Sequence, residues 1–468
     1  MATTGETKSQ AASQRHEADV VIIGAGIMGC SLAVAFGRQG RSVILLEQSL
    51  KEPDRIIGEL LQPGGCEALE KLGLKDCLEG IDAIKVDGYY ISYHNDSVSL
   101  QYPKETPSSP SPEGRAFHHG RFIMKLREAA IACPNVTVVE TKATGLVTST
   151  FTNQVVGVEC ETKELKDCYF GQLTVAADGY SSKFRKGHHP KTPEVRDKFW
   201  ALELIDAKLP CPGYGHVLIS DNPPVLLYQI GTHETRALIN IPENLPSASV
   251  KNGGVKSHLR NVVLPSIPKD IRPSFEAALD KGQLRSMPNS FLPASTNKTP
   301  GLILLGDALN MRHPLTGGGM TVVFNDVCII RDLLSPENVP SFEDTKLVLK
   351  QLSRFHSERK NYSSVINILS IALYSLFAAN DVHLQALQRG CFQYFKTSAV
   401  REPVLLLAGI LKQPVLLVYH FFTVALFSIW ILLRESSLLG LFLIPFQSVM
   451  VFYTACVVIL PYILTEIW

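Results

Sequence analysis

Residues 19–47 read DVVIIGAGIMGCSLAVAFGRQGRSVILLE, and the order of residue types in that stretch decides the fold. The β-branched run 19–23 predicts a strand. GAGIMG follows, then SLAVAFGRQG with apolar residues at helical spacing, then a second strand ending on Glu47. Strand, glycine-rich turn, helix, strand and acid in that order are far more specific than the glycine pattern alone. Gly24 is expected to permit the tight turn, Gly26 to let the backbone approach a diphosphate, and Gly29 to let helix and strand pack closely. The helix N-terminus, from Ile27 and Met28 onward, offers unpaired N–H groups and partial positive charge to that anion. Glu47 lies 18 residues after Gly29 (47 − 29). An acid there suits ribose hydroxyls, hence FAD or NAD rather than NADP.

Two later turns repeat the style of the first. QLTVAADG (172–179) reads as a buried strand closed by Asp178-Gly179, and GLILLGD (301–307) as a strand ending on Gly306-Asp307. The second opens GDALNMRHPLTGGGMT (306–321), where Gly317, Gly318 and Gly319 precede a helix-like run. One cofactor is therefore expected to be touched three times along the chain. There is no second GxGxxG for a nicotinamide cofactor, so electrons are expected from another protein.

Between these anchors, 52–65 (EPDRIIGELLQPGG) reads as loop, short helix and turn, and 135–140 as a strand. The stretch 114–130 leads into a helix carrying Arg121 and Arg127. Short apolar runs broken by prolines across 200–300 predict a more antiparallel sheet, suited to holding substrate. Residues 342–400 carry apolar side chains at helical spacing. The expected architecture is α/β. A Rossmann-type dinucleotide-binding domain (FAD or NAD) covers 19–190 and 301–340, with 60–115 partly facing substrate. A mixed β-sheet substrate domain is inserted at 191–300, and a helical membrane-associated region fills 341–468. The polar lead 1–18 is expected to be disordered.

Composition narrows the function classes. A formal net charge of +1 without a basic stripe argues against nucleic acid. The 10 cysteines show no CxxC pair and no Cys/His cluster, which points to reduced thiols and no metal. Near the C-terminus, 413–433 and 436–465 contain no Asp, Glu, Lys or Arg. Each is long enough to cross a hydrocarbon core of about 30 Å. Pro414, Pro445 and Pro461 interrupt these stretches, and His420 and Gln447 lie inside them, so spanning the bilayer and dipping into it from one side both remain open.

GxGxxG, a DG turn and a GD turn in this order resemble the flavoprotein monooxygenases of the aromatic hydroxylase group. EPDRIIGELLQPGG, GRAFHHGRFIM (114–124), LRSMPNSFLP (284–293) and GDALNMRHPLTGGGMT together resemble the squalene monooxygenase (squalene epoxidase) family, from about residue 19 to the C-terminus. That resemblance implies epoxidation of squalene to (S)-2,3-oxidosqualene through a flavin C4a-hydroperoxide. NADPH–cytochrome P450 reductase would donate the electrons, at the endoplasmic reticulum or microsomal membrane with the catalytic part facing the cytosol. It implies FAD contacts at Ile27, Met28, Glu47, Gln48, Arg55, Leu60, Arg127, Ala143, Asp307 and Met320. The family often has Arg where this chain has Gln48. Arg121 is a further candidate for the flavin. Tyr89 matches the pocket tyrosine that reaches inhibitors directly or through Gln62. His313, beside Pro314, reads as structural rather than as a general base, and His118 and His119 are read with the same caution. Many family members carry a further membrane region ahead of the first strand; here fewer than twenty polar residues precede it, so attachment is expected to rest on the C-terminal segments. Candidate pocket walls are 225–230, 291–293 and the segment after Pro314. The alternative reading is a membrane-associated FAD-dependent lipid or quinone oxidoreductase.

Overall fold

The structure, a computed structural model, describes residues 16–104, 106, 108–163, 165–436 and 443–467. The first strand, Glu17–Ile23, starts inside the lead expected to be disordered; the rest of that lead, 1–15, lies outside the described residues.

Five parallel strands form the base: Val136–Glu140, Val43–Glu47, Glu17–Ile23, Leu165–Ala176 and Leu302–Leu304. A parallel sheet is buried on both faces, so its strands are continuous apolar runs; Val20, Val21 and Ile22 are fully buried. Leu165–Ala176 is long enough to serve twice. Its first half pairs antiparallel with Val155–Thr162, which in turn pairs with Lys142–Thr148. Its second half lies between Glu17–Ile23 and Leu302–Leu304. The GAGIMG, Asp178-Gly179 and Gly306-Asp307 turns therefore all leave the same edge of the sheet. This is where open α/β sheets bind ligands.

A second sheet runs in the order Arg285–Phe291, Glu194–Ile205, Glu234–Pro242, Val225–Gln229, Tyr214–Ile219, Gly88–Tyr93, Asp96–Gln101. Only Tyr214–Ile219 with Gly88–Tyr93 is parallel. Two strands thus come from a segment about ninety residues ahead of the rest. Alternation sorts its faces. Val225, Leu227 and Ile239 pack on Phe275 and Leu279 of the helix Arg272–Lys281, while Leu226, Tyr228 and Leu238 face the other way.

In 52–65 the expected short helix is instead the strand Leu60–Leu61, paired with Gly114–Ala116. The expected turn is the start of the helix Pro63–Lys71. Proline is pre-set for a first helical turn and has no N–H to leave unpaired there. Gly64 admits the chain at Gly409, where a Cβ would stand 2.2 Å from a carbonyl oxygen.

The helix Thr345–Phe377 is capped by Asp344, whose carboxylate accepts from Leu347 N. It meets Val382–Tyr394 at a bend of 114°. Pro414–Glu435 and Ile444–Glu466 are long and apolar enough to cross a membrane, with mean hydropathy of 2.2 and 2.0. They leave Val415, Tyr419, Leu426, Phe446, Val449 and Tyr453 exposed.

Candidate active site

The three turns converge on one cavity of about 640 Å³. Its GAGIMG end, where a diphosphate is expected, is built by backbone fit. Gly24 has φ +100°, and a Cβ there would lie 2.6 Å from Ala177 O. At Gly29 a Cβ would lie 1.8 Å from Gly24 O, so no other residue lets this helix sit on its strand. Gly26 has open space around it and lines the cavity with Ile27 and Met28. Arg127 is buried and ties the turn down. Its Nε donates to Ala25 O at 3.0 Å and its Nη1 to Lys51 O at 2.9 Å. Glu47 accepts from Ala25 N at 2.8 Å and lies 3.5 Å from the Arg127 guanidinium. Its second oxygen takes only a 3.2 Å contact from Ser49 N, which leaves it capacity for a ribose. Gln48, Arg55, Leu60 and Ala143 line the same cavity.

The middle of the cavity is the GD turn. No donor among the described residues is hydrogen-bonded to the Asp307 carboxylate. Desolvation raises its pKa, opposed by the charges of Arg312, Arg55 and Arg185. A half-buried acceptor without a partner is costly unless a ligand hydroxyl reaches it. Arg185 holds this turn against the DG turn: Nε donates to Ala308 O at 3.0 Å and Nη2 to Asp307 O and Tyr180 O, both at 2.9 Å. Sequence reading missed Arg185 because its partners are backbone carbonyls, and those of the GD turn lie more than a hundred residues away. Gly319 and Met320 begin the helix Gly319–Leu333 at the cavity wall. Two open helix N-termini, an unpartnered carboxylate and a glycine facing free space fit an elongated dinucleotide with a diphosphate at its centre.

The far end is walled by the second sheet. Val217, Leu226, Leu238, Met287 and Leu315 line it. Of the expected walls, 225–230 contributes only alternate residues, because neighbours on a strand face opposite ways. Phe291 and Leu292 are absent from the lining; Phe291 packs on Tyr462 instead. Tyr89 lines the cavity and is buried. Its hydroxyl donates to Gln62 Oε1 at 2.8 Å, and so does that of Tyr102. Gln62 Nε2 donates to Thr316 O at 2.7 Å. Gln62 thus stands behind Tyr89 and does not line the cavity. Burial holds the Tyr89 phenol well above its ordinary pKa.

Three sequence candidates lie elsewhere. Arg121 is 3.8 Å from Asp82 on the outer side of its helix. Six residues along a helix turn the chain by about 600°, so Arg121 and Arg127 cannot share a face. Gly318 faces Ile366, whose Cγ2 would be 2.4 Å from a Cβ; that glycine serves helix packing. Gly29 serves the turn from behind. His313 is structural: it stacks on Tyr374 at 4.0 Å and its Nδ1 accepts from Leu315 N. His119 holds Gly58 O at 2.8 Å. An unforeseen buried pair, Glu59 and Arg236, joins loop to sheet through bonds of 2.8 and 2.9 Å, with Tyr228 Oη 3.4 Å from Glu59. The lone acid in IIGELL and the lone Arg in TRALINI were its only signals. Among the described residues no group of His, Cys, Asp and Glu could hold a metal.

Solved structures share this fold. A p-nitrophenol 4-monooxygenase, PnpA, of Pseudomonas putida superposes with a TM-score of 0.67 at 17% identity, over 84% of this chain and 98% of that one. A probable FAD-dependent monooxygenase of Pseudomonas aeruginosa, pqsL, gives 0.63 at 18% identity, over 81% and 100%. The squalene epoxidase family profile matches residues 170–444. Squalene epoxidase erg1 of Aspergillus fumigatus is 68% identical over 97% of this chain and 94% of its own length. Squalene epoxidase ERG1 of Saccharomyces cerevisiae is 38% identical over 96% of each. Squalene epoxidase 3 of Arabidopsis thaliana is 41% identical over 92% of this chain and 80% of its own length. With the flavoprotein monooxygenase fold, the converging cavity and identity of this extent, the chain belongs to the squalene epoxidase family.

Proposed function

We propose that the chain is an FAD-dependent monooxygenase that epoxidises squalene, with its own residues divided between holding the cofactor and enclosing the alkene. Bound FAD, once reduced, supplies the activation of O2 and the transfer of one oxygen atom. Gly24, Gly26 and the amides of Ile27 and Met28 receive the diphosphate, Glu47 and Gln48 the adenosine end, and Asp307 a hydroxyl of the ribityl chain. Arg127 and Arg185 keep these groups in place. Arg55, Leu60, Ala143, Gly319 and Met320 complete the wall around the cofactor. The observation that carries this reading is the Asp307 carboxylate, unpartnered by any described donor and set between the diphosphate turn and the apolar end of the same cavity.

The apolar walls suit an uncharged polyene and exclude water, which would otherwise divert activated oxygen. Tyr89, neutral and fixed by Gln62, borders the alkene without contributing charge. Electrons reach the cofactor from NADPH–cytochrome P450 reductase. The two apolar helices keep the protein in the endoplasmic reticulum or microsomal membrane, where the substrate dissolves, with the cavity on the cytosolic side. Purified protein in lipid, with reductase, NADPH, squalene and isotopically labelled O2, should give 2,3-oxidosqualene carrying one labelled atom. FAD-loaded protein that makes no epoxide with reductase present overturns the reading. Reduction of a quinone in place of epoxidation would favour a lipid or quinone oxidoreductase.

A further inference from the structure

Glu466 is the one charged residue in the helix Ile444–Ile467, yet it is 3% exposed. A carboxylate buried in an apolar setting is strongly destabilising unless it is hydrogen-bonded. Its Oε2 accepts from Asn367 Nδ2 at 2.8 Å. Asn367 Oδ1 accepts in turn from Arg312 Nε at 2.6 Å. The Arg312 guanidinium is then fixed from two more sides. Nη2 donates to Asn310 Oδ1 at 2.6 Å and Nη1 to Gly319 O at 3.3 Å. Arg312 lines the cofactor cavity, and its charge pulls the Asp307 pKa down. Asn310 Oδ1 also accepts from Asn367 and from Arg359, while Glu466 Oε1 and Arg359 Nη1 are buried with no hydrogen-bond partner among the described residues. Arg359 is paired with Asp326 at 2.9 Å through two nitrogens.

A carboxylate on a helix long and apolar enough to cross a membrane is thus linked through one side chain, Asn367, to Arg312 in the cavity wall. A helix anchored only by apolar packing needs no such group; Phe291 on Tyr462 and the contacts of Ile459 already supply that. We propose that Glu466 is a positioning residue for the cofactor site: through Asn367 it orients Arg312 beside Asp307, so that docking of the last apolar helix sets the affinity and electronic environment of the flavin. This rests on the reading of the cavity as an FAD site. The chain of contacts makes the membrane helix part of the catalytic domain and not a detachable anchor.

The test uses the full chain in lipid nanodiscs with FAD. Glu466→Ala should weaken FAD binding, read by flavin fluorescence, by about threefold to tenfold, and should shift the flavin midpoint potential. Glu466→Gln, whose carbonyl oxygen can still accept from Asn367, should restore affinity. Asn367→Ala combined with Glu466→Ala should be no worse than the weaker single variant. If Glu466→Ala does not fold, Asn367→Ala reads the same link, since Arg312 then loses its Nε partner. A lowered melting temperature with wild-type flavin affinity and potential means a purely structural bond and overturns the link. So do additive effects of the two substitutions. Wild-type protein that holds no FAD would sink the functional reading itself, whereas loaded wild type beside an unresponsive Glu466→Ala sinks this link alone.

Discussion

The two ends of the cavity are built by opposite means. At the diphosphate end, six consecutive residues, 24–29, set the geometry, and the tolerances are backbone against backbone: 2.6 Å at Gly24 and 1.8 Å at Gly29 for a Cβ that is not there. At the apolar end, Gln62, Tyr89, Tyr102 and Thr316 come from four separate segments and meet through side-chain hydrogen bonds of 2.7 to 2.8 Å. One end depends on what is absent from a short motif. The other depends on what is present in a folded chain. The first should therefore fail abruptly on substitution and the second by degrees.

The sharpest break of that contrast is Gly29→Ala. Its Cβ meets a carbonyl that cannot move without opening the turn, so a loss of about 3 kcal/mol is expected, read as a fall in melting temperature together with lost flavin. Gly26→Ala, three residues away in open space, should leave the melting temperature alone and weaken FAD only. Equal behaviour of the two variants would remove the steric account.

Arg127→Ala comes next. It frees Ala25 O and Lys51 O and leaves Glu47 without its nearest cation, at a cost of about 2 kcal/mol. Chemical denaturation should show the loss, and added FAD should recover part of it by binding only the folded state.

Gln62→Ala strands two tyrosine hydroxyls and one carbonyl at the apolar end. A loss of about 1–2 kcal/mol is expected, with a larger effect on turnover of squalene than on flavin content. Tyr89→Phe removes a single donor and should cost less, about 1 kcal/mol. If flavin content falls as far as turnover in Gln62→Ala, the separation of the two ends is wrong.

The effect that is smallest at neutral pH, and emerges only on acidification, is that of two buried histidines. Burial pushes His119, on the cofactor side, and His216, on the sheet wall, down to about 4. Both are neutral in the fold, while the unfolded chain takes up protons below about 6.5. Their contribution is fully present above pH 6.5 and is lost as pH falls toward 4. Thermal unfolding across that window should flatten by a similar amount in His119→Gln and His216→Gln. An unchanged slope in both would show that these rings are solvated.

Legibility in the sequence followed the same division. The GAGIMG turn, the Asp178-Gly179 and Gly306-Asp307 turns, and the two apolar C-terminal stretches are local patterns, and the structure places them as strand ends and helices. Leu60–Leu61 was misread as helical because a two-residue strand has no periodicity to detect, and it forms only because Gly114–Ala116 is beside it. The bent pair Thr345–Phe377 and Val382–Tyr394 showed helical spacing, but its 114° turn depends on how the helices pack.

By itself the sequence determined the dinucleotide turn, its acid and the apolar helices, because each is a short-range demand: left-handed φ, missing Cβ, or an uncharged run of sufficient length. Only the tertiary structure decided that Arg121 faces outward, that Gly318 serves Ile366 rather than the cofactor, and that Arg185, Glu59 and Glu466 matter. Those roles consist of hydrogen bonds and contacts between residues far apart in the chain, and no local pattern encodes a partner at that distance.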